Sequence, residues 1–191
     1  PDLRDRYPEG ALVGAGYSRT MYQRELSRLP GRKAPGEDGV LNETLKHMPQ
    51  SFHDRVHKAF VSMWSERHTP DHWKTALTVL LYKKDDPTRV NNYRPIGLLN
   101  TVYKLWTAVV TRCLAMFVER HGLLSASQEG FRARRNTIRQ VHRVIMALED
   151  ANATHSPIYV LYVDFVNAFG SVDHKRMAQI MEMQGYPGDI V

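Results

Sequence analysis

The sequence has 191 residues, long enough for one sizeable domain with its own core and short for two independent ones. Lys and Arg number 26 against 20 Asp and Glu, giving a net charge of +6, a modest excess whose meaning depends on where it clusters. The single cysteine, Cys113, excludes an intramolecular disulfide and any cysteine-rich zinc module. No apolar run approaches the roughly 18 residues of a membrane span, and the start Pro-Asp-Leu-Arg-Asp-Arg lacks the apolar core of a secretory signal. The expected setting is therefore intracellular, nucleus or cytoplasm, with no membrane partner. Because residue 1 is Pro and the chain stops on Asp189-Ile190-Val191, both ends read as cuts in something longer.

Residues 1–16 mix charge with Gly and Pro without periodicity and read as an irregular lead-in. Tyr17 to Leu29, with Met21, Leu26 and Leu29 on a thin apolar side, predicts a helix stopped by Pro30-Gly31. Gly31 to Gly39 holds three glycines and a proline and is a loop. Val40 to Met48 predicts a short helix. Ser51 to about Arg67 predicts a longer one whose Val56, Ala59, Phe60, Met63 and Trp64 recur at helical spacing as core.

After a break at Pro70, Ala76 to Tyr82 reads as a strand running into a polar, exposed turn. From Asn100 or Thr101 a helix of some 20 residues follows, striped by Val102, Leu105, Trp106, Val109, Val110, Cys113, Leu114 and Phe117. In that stripe Cys113 is a small buried hydrophobe and not a nucleophile. The helix ends at His121-Gly122, and 125–136 is an arginine-dense loop. Thr137 to about Ala151 predicts a helix burying Ile138, Val141, Val144, Ile145 and Leu148, with Arg139 and Arg143 side by side.

Ile158 to Val163 is apolar without a break, the pattern of a strand covered on both faces, and it ends on Asp164. An acid there either presents a carboxylate to a metal or reacting group from rigid backbone, or caps the following turn. Ser171 or Asp173 can cap a last helix, about His174 to Met183, that stops at Gly185. Helices interrupted by a few strands with long connections give an α+β class.

The cations gather at two places: Lys83, Lys84, Arg89 and Arg94 around one turn, and Arg132, Arg134, Arg135, Arg139 and Arg143 around a helix start. Such patches fit the phosphates of nucleic acid or of a nucleoside triphosphate equally; merely solvated charged faces are the other reading. Asp164 alone is too few carboxylates for a catalytic magnesium site, and Asp173 reads as a cap or surface acid. The histidines lack metal-ligand spacing, Gly36 and Gly39 lack the context of a phosphate-binding loop, and no Gly-x-Ser-x-Gly turn occurs.

Four segments in order resemble the reverse transcriptases of non-LTR, LINE-like retrotransposons. Lys33-Ala-Pro-Gly-Glu-Asp-Gly39 is similar to that family's Lys-Ala-Pro-Gly-x-Asp-Gly, and Tyr93-Arg-Pro-Ile-Gly-Leu-Leu99 to its Tyr-Arg-Pro-Ile-Ser-Leu-Leu. Gln128-Glu-Gly-Phe-Arg132 resembles Gln-x-Gly-Phe-Arg, and Val163-Asp-Phe-Val-Asn-Ala-Phe-Gly-Ser-Val-Asp-His174 the first palm motif, usually Asp-Phe-x-Lys-Ala-Phe-Asp-x-Val-x-His. The likeness spans roughly residues 30 to 191.

What this resemblance implies is a right-hand polymerase, fingers and partial palm, helix-rich with a few antiparallel strands. Residues 1–30 would be a lead-in and helix, 31–156 a fingers-like subdomain, and 157–191 the start of the palm. Asp164 would be the first metal-binding aspartate of a two-metal, Mg²⁺ or Mn²⁺, nucleotidyl transfer, with the backbone carbonyl of Phe165 beside it. Phe169 would lie under the incoming sugar and reject a ribose 2′-hydroxyl. Arg94 with Lys83 or Lys84 would clamp the triphosphate, and Gln128, Arg132, Arg134 and Arg135 would hold the template. The implied partners are an RNA template, a DNA primer, deoxynucleoside triphosphates, and the remaining palm and thumb of the same polyprotein.

Two departures stand out. Gly170 replaces the usual Asp and is expected to loosen the start of the next helix by about 1 kcal/mol; Asn167 stands where Lys is frequent. The chain stops before the second palm motif and the Tyr/Phe-x-Asp-Asp turn, so alone it is expected not to polymerise, and strand 158–163 is expected to expose an unpaired apolar edge. A non-catalytic, nucleic-acid-binding remnant of a decayed element is the rival reading.

Overall fold

The computed structural model describes residues 17–165, 167–186 and 188, so the lead-in read over 1–16 and the closing Asp189 to Val191 lie outside it. Among the described residues the chain forms six α-helices and one two-stranded antiparallel sheet, the helix-rich α+β class its sequence predicts. It divides into two compact units, one up to Met116 and one from Phe117 to Tyr186.

In the first unit, helix α1 (Arg19–Arg28) starts where Ser18 Oγ accepts from the Met21 amide at 3.2 Å, filling one of the bonds that a helix start leaves open. Helix α2 (Asn42–Lys46) is shorter than the stretch predicted for it, and α3 (Gln50–Ser65) buries His53 and Phe60 rather than the whole predicted stripe: Val56 is half-buried and Ala59 exposed. Helix α4 (Thr101–His121) carries the core, with Leu105 and Val109 fully buried and Trp106 and Cys113 nearly so. Rings continue the contact, Tyr22 to Phe60 at 5.8 Å and Phe60 to Trp106 at 5.0 Å, both edge-on. Leu45 and Phe60, each 1% exposed, contribute about 2 kcal/mol apiece through burial alone.

Burial pushes the Cys113 thiol up to about 11, and its sulfur lies 3.4 Å from that of Met21, as befits a packed hydrophobe. By length and composition α4 also suffices to cross a membrane, which a count of uninterrupted apolar residues does not reveal; its buried Thr101, Leu105 and Val109 make it a core helix here.

Two tyrosine–histidine pairs join α1 and Tyr17, two residues before it, to α3. The hydroxyls of Tyr17 and Tyr22 lie 2.7 and 2.8 Å from the Nδ1 atoms of His57 and His53, and Arg19 pairs with Asp54 alongside. Burial raises both phenols, Tyr22 to about 12, so each hydroxyl keeps its proton through the neutral range. Burial, with Arg19 adding to it against Asp54, holds the His57 pKa below its usual value. The unfolded chain therefore takes up that proton first, so the stabilisation is complete above about pH 6.5 and is lost as pH falls from there through the lowered folded value. Melting temperature is expected to drop between pH 7.5 and 5.5, and to drop less in His57→Gln; an unchanged drop in that variant would remove His57 as the cause.

Strands β1 (Leu77–Tyr82) and β2 (Tyr93–Leu98) pair from Leu77 with Leu98 to Tyr82 with Tyr93. Pro95 sits opposite Leu80, tolerated because each strand of a two-stranded sheet is an edge.

In the second unit, α5 (Thr137–Ala153) begins on Asn136, whose Oδ1 accepts from the Arg139 amide at 3.1 Å, and α6 (His174–Met183) on Asp173. Two expectations fail here. The predicted buried stripe of α5 is exposed, Ile138 at 72%, and Ile158 to Val163 is not a strand: it makes no ladder and leaves Tyr159 91% and Leu161 86% exposed. Periodicity and β-branching say which residues would share a buried face, but burial needs an opposing surface, and among the described residues β1 and β2 pair only with each other.

Candidate active site

The loop Lys33 to Gly39 is docked against the chain leaving β2. A Cβ on Gly36 would lie 2.4 to 2.6 Å from backbone atoms of Leu99 and Asn100, so only glycine permits the approach. Around it the Asp38 amide donates to Asn100 Oδ1 at 3.3 Å, Lys104 Nζ to the Ala34 carbonyl at 3.1 Å, and Thr101 Oγ1 to the Val40 carbonyl. Two of the four sequence motifs thus form one structural piece: the glycine loop fixes how β2 hands over to α4.

At the far end of the same hairpin lie Lys83, Lys84 and Arg94. The Lys83 amide donates to Asn92 O at 2.8 Å, and Arg94 stands opposite Leu81, so the three cations share the tip end of the hairpin, all exposed. The loop between them is braced by its own side chains: Asp86 accepts from the amide and hydroxyl of Thr88, Asn92 Nδ2 donates to the Asp86 carbonyl at 2.7 Å, and the Tyr93 hydroxyl to Pro87 O at 2.8 Å. Arg89 pairs with Asp86 at 3.6 Å, whereas Lys83, Lys84 and Arg94 have no carboxylate partner among the described residues. Unpaired cations on a stiff loop are available to an anionic ligand.

In the second unit the arginine loop is wired internally. Arg132 grips Glu119 with two parallel bonds of 2.8 Å and donates to the Ser125 carbonyl at 2.8 Å, leaving its side chain 11% exposed. That grip holds the Glu119 carboxyl below its usual pKa. Arg135 at 3.0 Å and Arg143 at 3.5 Å share one oxygen of the buried Glu129, whose other oxygen has no partner. Gln128 Nε2 turns onto the Gly130 carbonyl at 3.2 Å. Arg134 and Arg139 remain exposed, with no carboxylate partner among the described residues. Sequence reasoning singled out the arginines and missed Glu119 and Glu129, the groups that orient them. Glu129 occupies the variable position of its motif, and Glu119 lies 13 residues before Arg132, so neither carried a local signal.

Asp164 ends the exposed apolar stretch and is itself exposed, without a cation partner among the described residues. Phe165 beside it is 72% exposed. A turn over 167–171 follows, closed by the Ser171 amide donating to Asn167 O at 3.0 Å. The two departures from the family pattern meet in this turn: a Cβ at 170 would lie 2.4 Å from Asn167 Nδ2 and 2.9 Å from its Cγ, so the Asn167 amide fills the space next to Gly170. Asp173, as expected of a cap, accepts from the Lys175 and Arg176 amides at 2.9 and 3.1 Å. Phe169, 82% exposed, meets Phe131 of the arginine loop edge-on.

Among the described residues no three His, Cys, Asp or Glu side chains converge as a metal-binding group. Asp164 and the Phe165 carbonyl offer the oxygen donors a hard divalent ion prefers, one carboxylate of the one or two that magnesium usually takes beside substrate phosphates.

A family profile described as reverse transcriptase (RNA-dependent DNA polymerase) matches residues 82–190. The chain is 30% identical over 150 residues to a probable RNA-directed DNA polymerase from transposon X-element of Drosophila melanogaster, covering 78% of this chain and 16% of that protein. It is 29% identical over 150 residues to a probable RNA-directed DNA polymerase from transposon BS of the same species, covering 78% of this chain and 17% of that one. To the RNA-directed DNA polymerase from mobile element jockey, also of Drosophila melanogaster, it is 29% identical with 78% and 16% covered. The chain therefore spans 16 or 17% of the length of these curated relatives.

Proposed function

This chain belongs to the reverse transcriptase family of non-LTR retrotransposons as part of such a domain, and from that premise we propose that it supplies the fingers and the first palm segment of an enzyme that copies RNA into DNA. The observation that carries the proposal is Asp164: an exposed carboxylate with no cation partner among the described residues, at the end of an apolar stretch inside the matched region. Hydrated and not neutralised by any described cation, Asp164 keeps its carboxylate oxygens available to a hard divalent ion.

Asp164 Oδ atoms and the Phe165 carbonyl would hold the divalent ion. When bound, Mg²⁺ or Mn²⁺ lowers the barrier by activating the primer 3′-hydroxyl and neutralising charge on the leaving pyrophosphate. Lys83, Lys84 and Arg94 would take the triphosphate oxygens, their loop already rigid, so little ordering cost falls on binding. Phe169 would stand where a ribose 2′-hydroxyl meets a ring instead of space. Gln128 and Arg134 would contact template, while Arg132 and Arg135 would act through Glu119 and Glu129 by fixing the loop that carries them.

With one carboxylate of the required set, the isolated 191-residue chain should not extend a primer. The full-length product of its reading frame, given an RNA template, an annealed DNA primer, deoxynucleotides and Mg²⁺ or Mn²⁺, should. No extension by the full-length product under either metal would refute the proposal; extension by the isolated chain would refute the role given to the missing carboxylates.

A further inference from the structure

We propose that Phe131 is a stacking surface for an unpaired base of the RNA strand, with Phe169 holding its ring edge-on; the inference rests on the polymerase reading above. The two rings come from different motifs, 38 positions apart in the chain, and meet with centroids 6.3 Å apart and planes at 78°. Phe131 is 96% and Phe169 82% exposed. A T-shaped contact uses the edge of one ring and the face of the other, so the pair keeps an aromatic face open to solvent.

The backbone adds a second sign. Phe131 has φ +61°, a conformation that bulky side chains avoid, and Arg134 shares it at +61°. The loop holds an apolar ring outward at a conformational cost, although folding the ring inward would lower the free energy by burial. Such strain persists where the surroundings impose it, and here the Arg132–Glu119 and Arg135–Glu129 pairs fix the loop on either side.

Charge selects the occupant. From Gln128 to Arg143 there are five arginines against the single acid Glu129, and Arg134 and Arg139 keep no carboxylate partner among the described residues. An open aromatic face beside free guanidinium groups is the arrangement that holds single-stranded nucleic acid, base on ring and phosphate on cation. An apolar protein surface would leave those cations facing nothing.

The test uses the 191-residue chain and two fluorescein-labelled probes read by anisotropy: a single-stranded RNA of about 20 nucleotides, and a ribose-phosphate strand of equal length and charge without bases. The wild type should bind the RNA about tenfold more tightly than the abasic strand. Phe131→Ala and Phe131→Leu should erase that preference without changing the salt dependence, and Phe131→Tyr should keep it. Arg134→Ala should weaken both probes alike and lower the salt slope by about 0.7. Because Phe131 is almost wholly exposed, melting temperatures of its variants should match the wild type. Equal wild-type affinity for both probes, or a preference that survives Phe131→Ala, would overturn the stacking role alone. Binding of neither probe would also overturn this role, while the polymerase reading is decided separately by primer extension with the full-length product.

Discussion

Replacing Gly36 with Ala is expected to lower the melting temperature by about 6 to 12 °C. The added Cβ would sit 2.4 Å from the Leu99 carbonyl carbon, 2.5 Å from the Asn100 nitrogen and 2.6 Å from the Leu99 oxygen, all main-chain atoms that no rotamer change can move. Overpacking of this kind costs about 3 kcal/mol, and relief by shifting the loop would break the Asp38, Thr101 and Lys104 bonds that dock it. Gly39, three residues on, is the internal control. It has φ +65° and open space around the missing Cβ, so Gly39→Ala should cost only about 1 kcal/mol, or about 2 to 4 °C. Thermal unfolding of the two variants side by side checks the prediction; equal small losses would mean that the loop is not held against Leu99 and Asn100.

The same loop shows which features the sequence could disclose. Its glycines and proline announce a turn, because local backbone preference suffices for that. That Gly36 meets a backbone some 60 residues later has no local trace. Local signals also located helix α6, about His174 to Met183, and offered Ser171 or Asp173 as its cap, of which the structure uses Asp173; they also made Cys113 a packed hydrophobe. Where the outcome depended on a partner elsewhere, pattern reading overreached. The stripe of α5 and the run Ile158 to Val163 are apolar enough for burial, yet a strand is made by its neighbours and no described strand lies alongside. For the same reason the sequence placed Arg132 in a cluster of phosphate-binding cations without showing the Glu119 that the fold pairs it with. The coupling of Asn167 with Gly170 was equally invisible, since the two departures were read one at a time and Gly170 alone looked like a loss.

The second large effect concerns chemistry and leaves stability untouched. Asp164 is exposed and makes no described hydrogen bond or ion pair, so Asp164→Asn should melt with the wild type. Asp173 does the opposite: its carboxylate caps α6 through two amides, and Asp173→Ala should lose about 1 kcal/mol of stability, or about 2 to 4 °C. The measurement that tests the account most directly is primer extension on an RNA template by the full-length product carrying each substitution. Removing a metal-binding carboxylate withdraws several kcal/mol of transition-state stabilisation, so Asp164→Asn should slow extension by about a thousandfold or more at unchanged melting temperature. Asp173→Ala should retain most of the rate per folded molecule. Extension at the wild-type rate by Asp164→Asn, or equal losses in both variants, would contradict the assignment of Asp164 as the metal-binding aspartate.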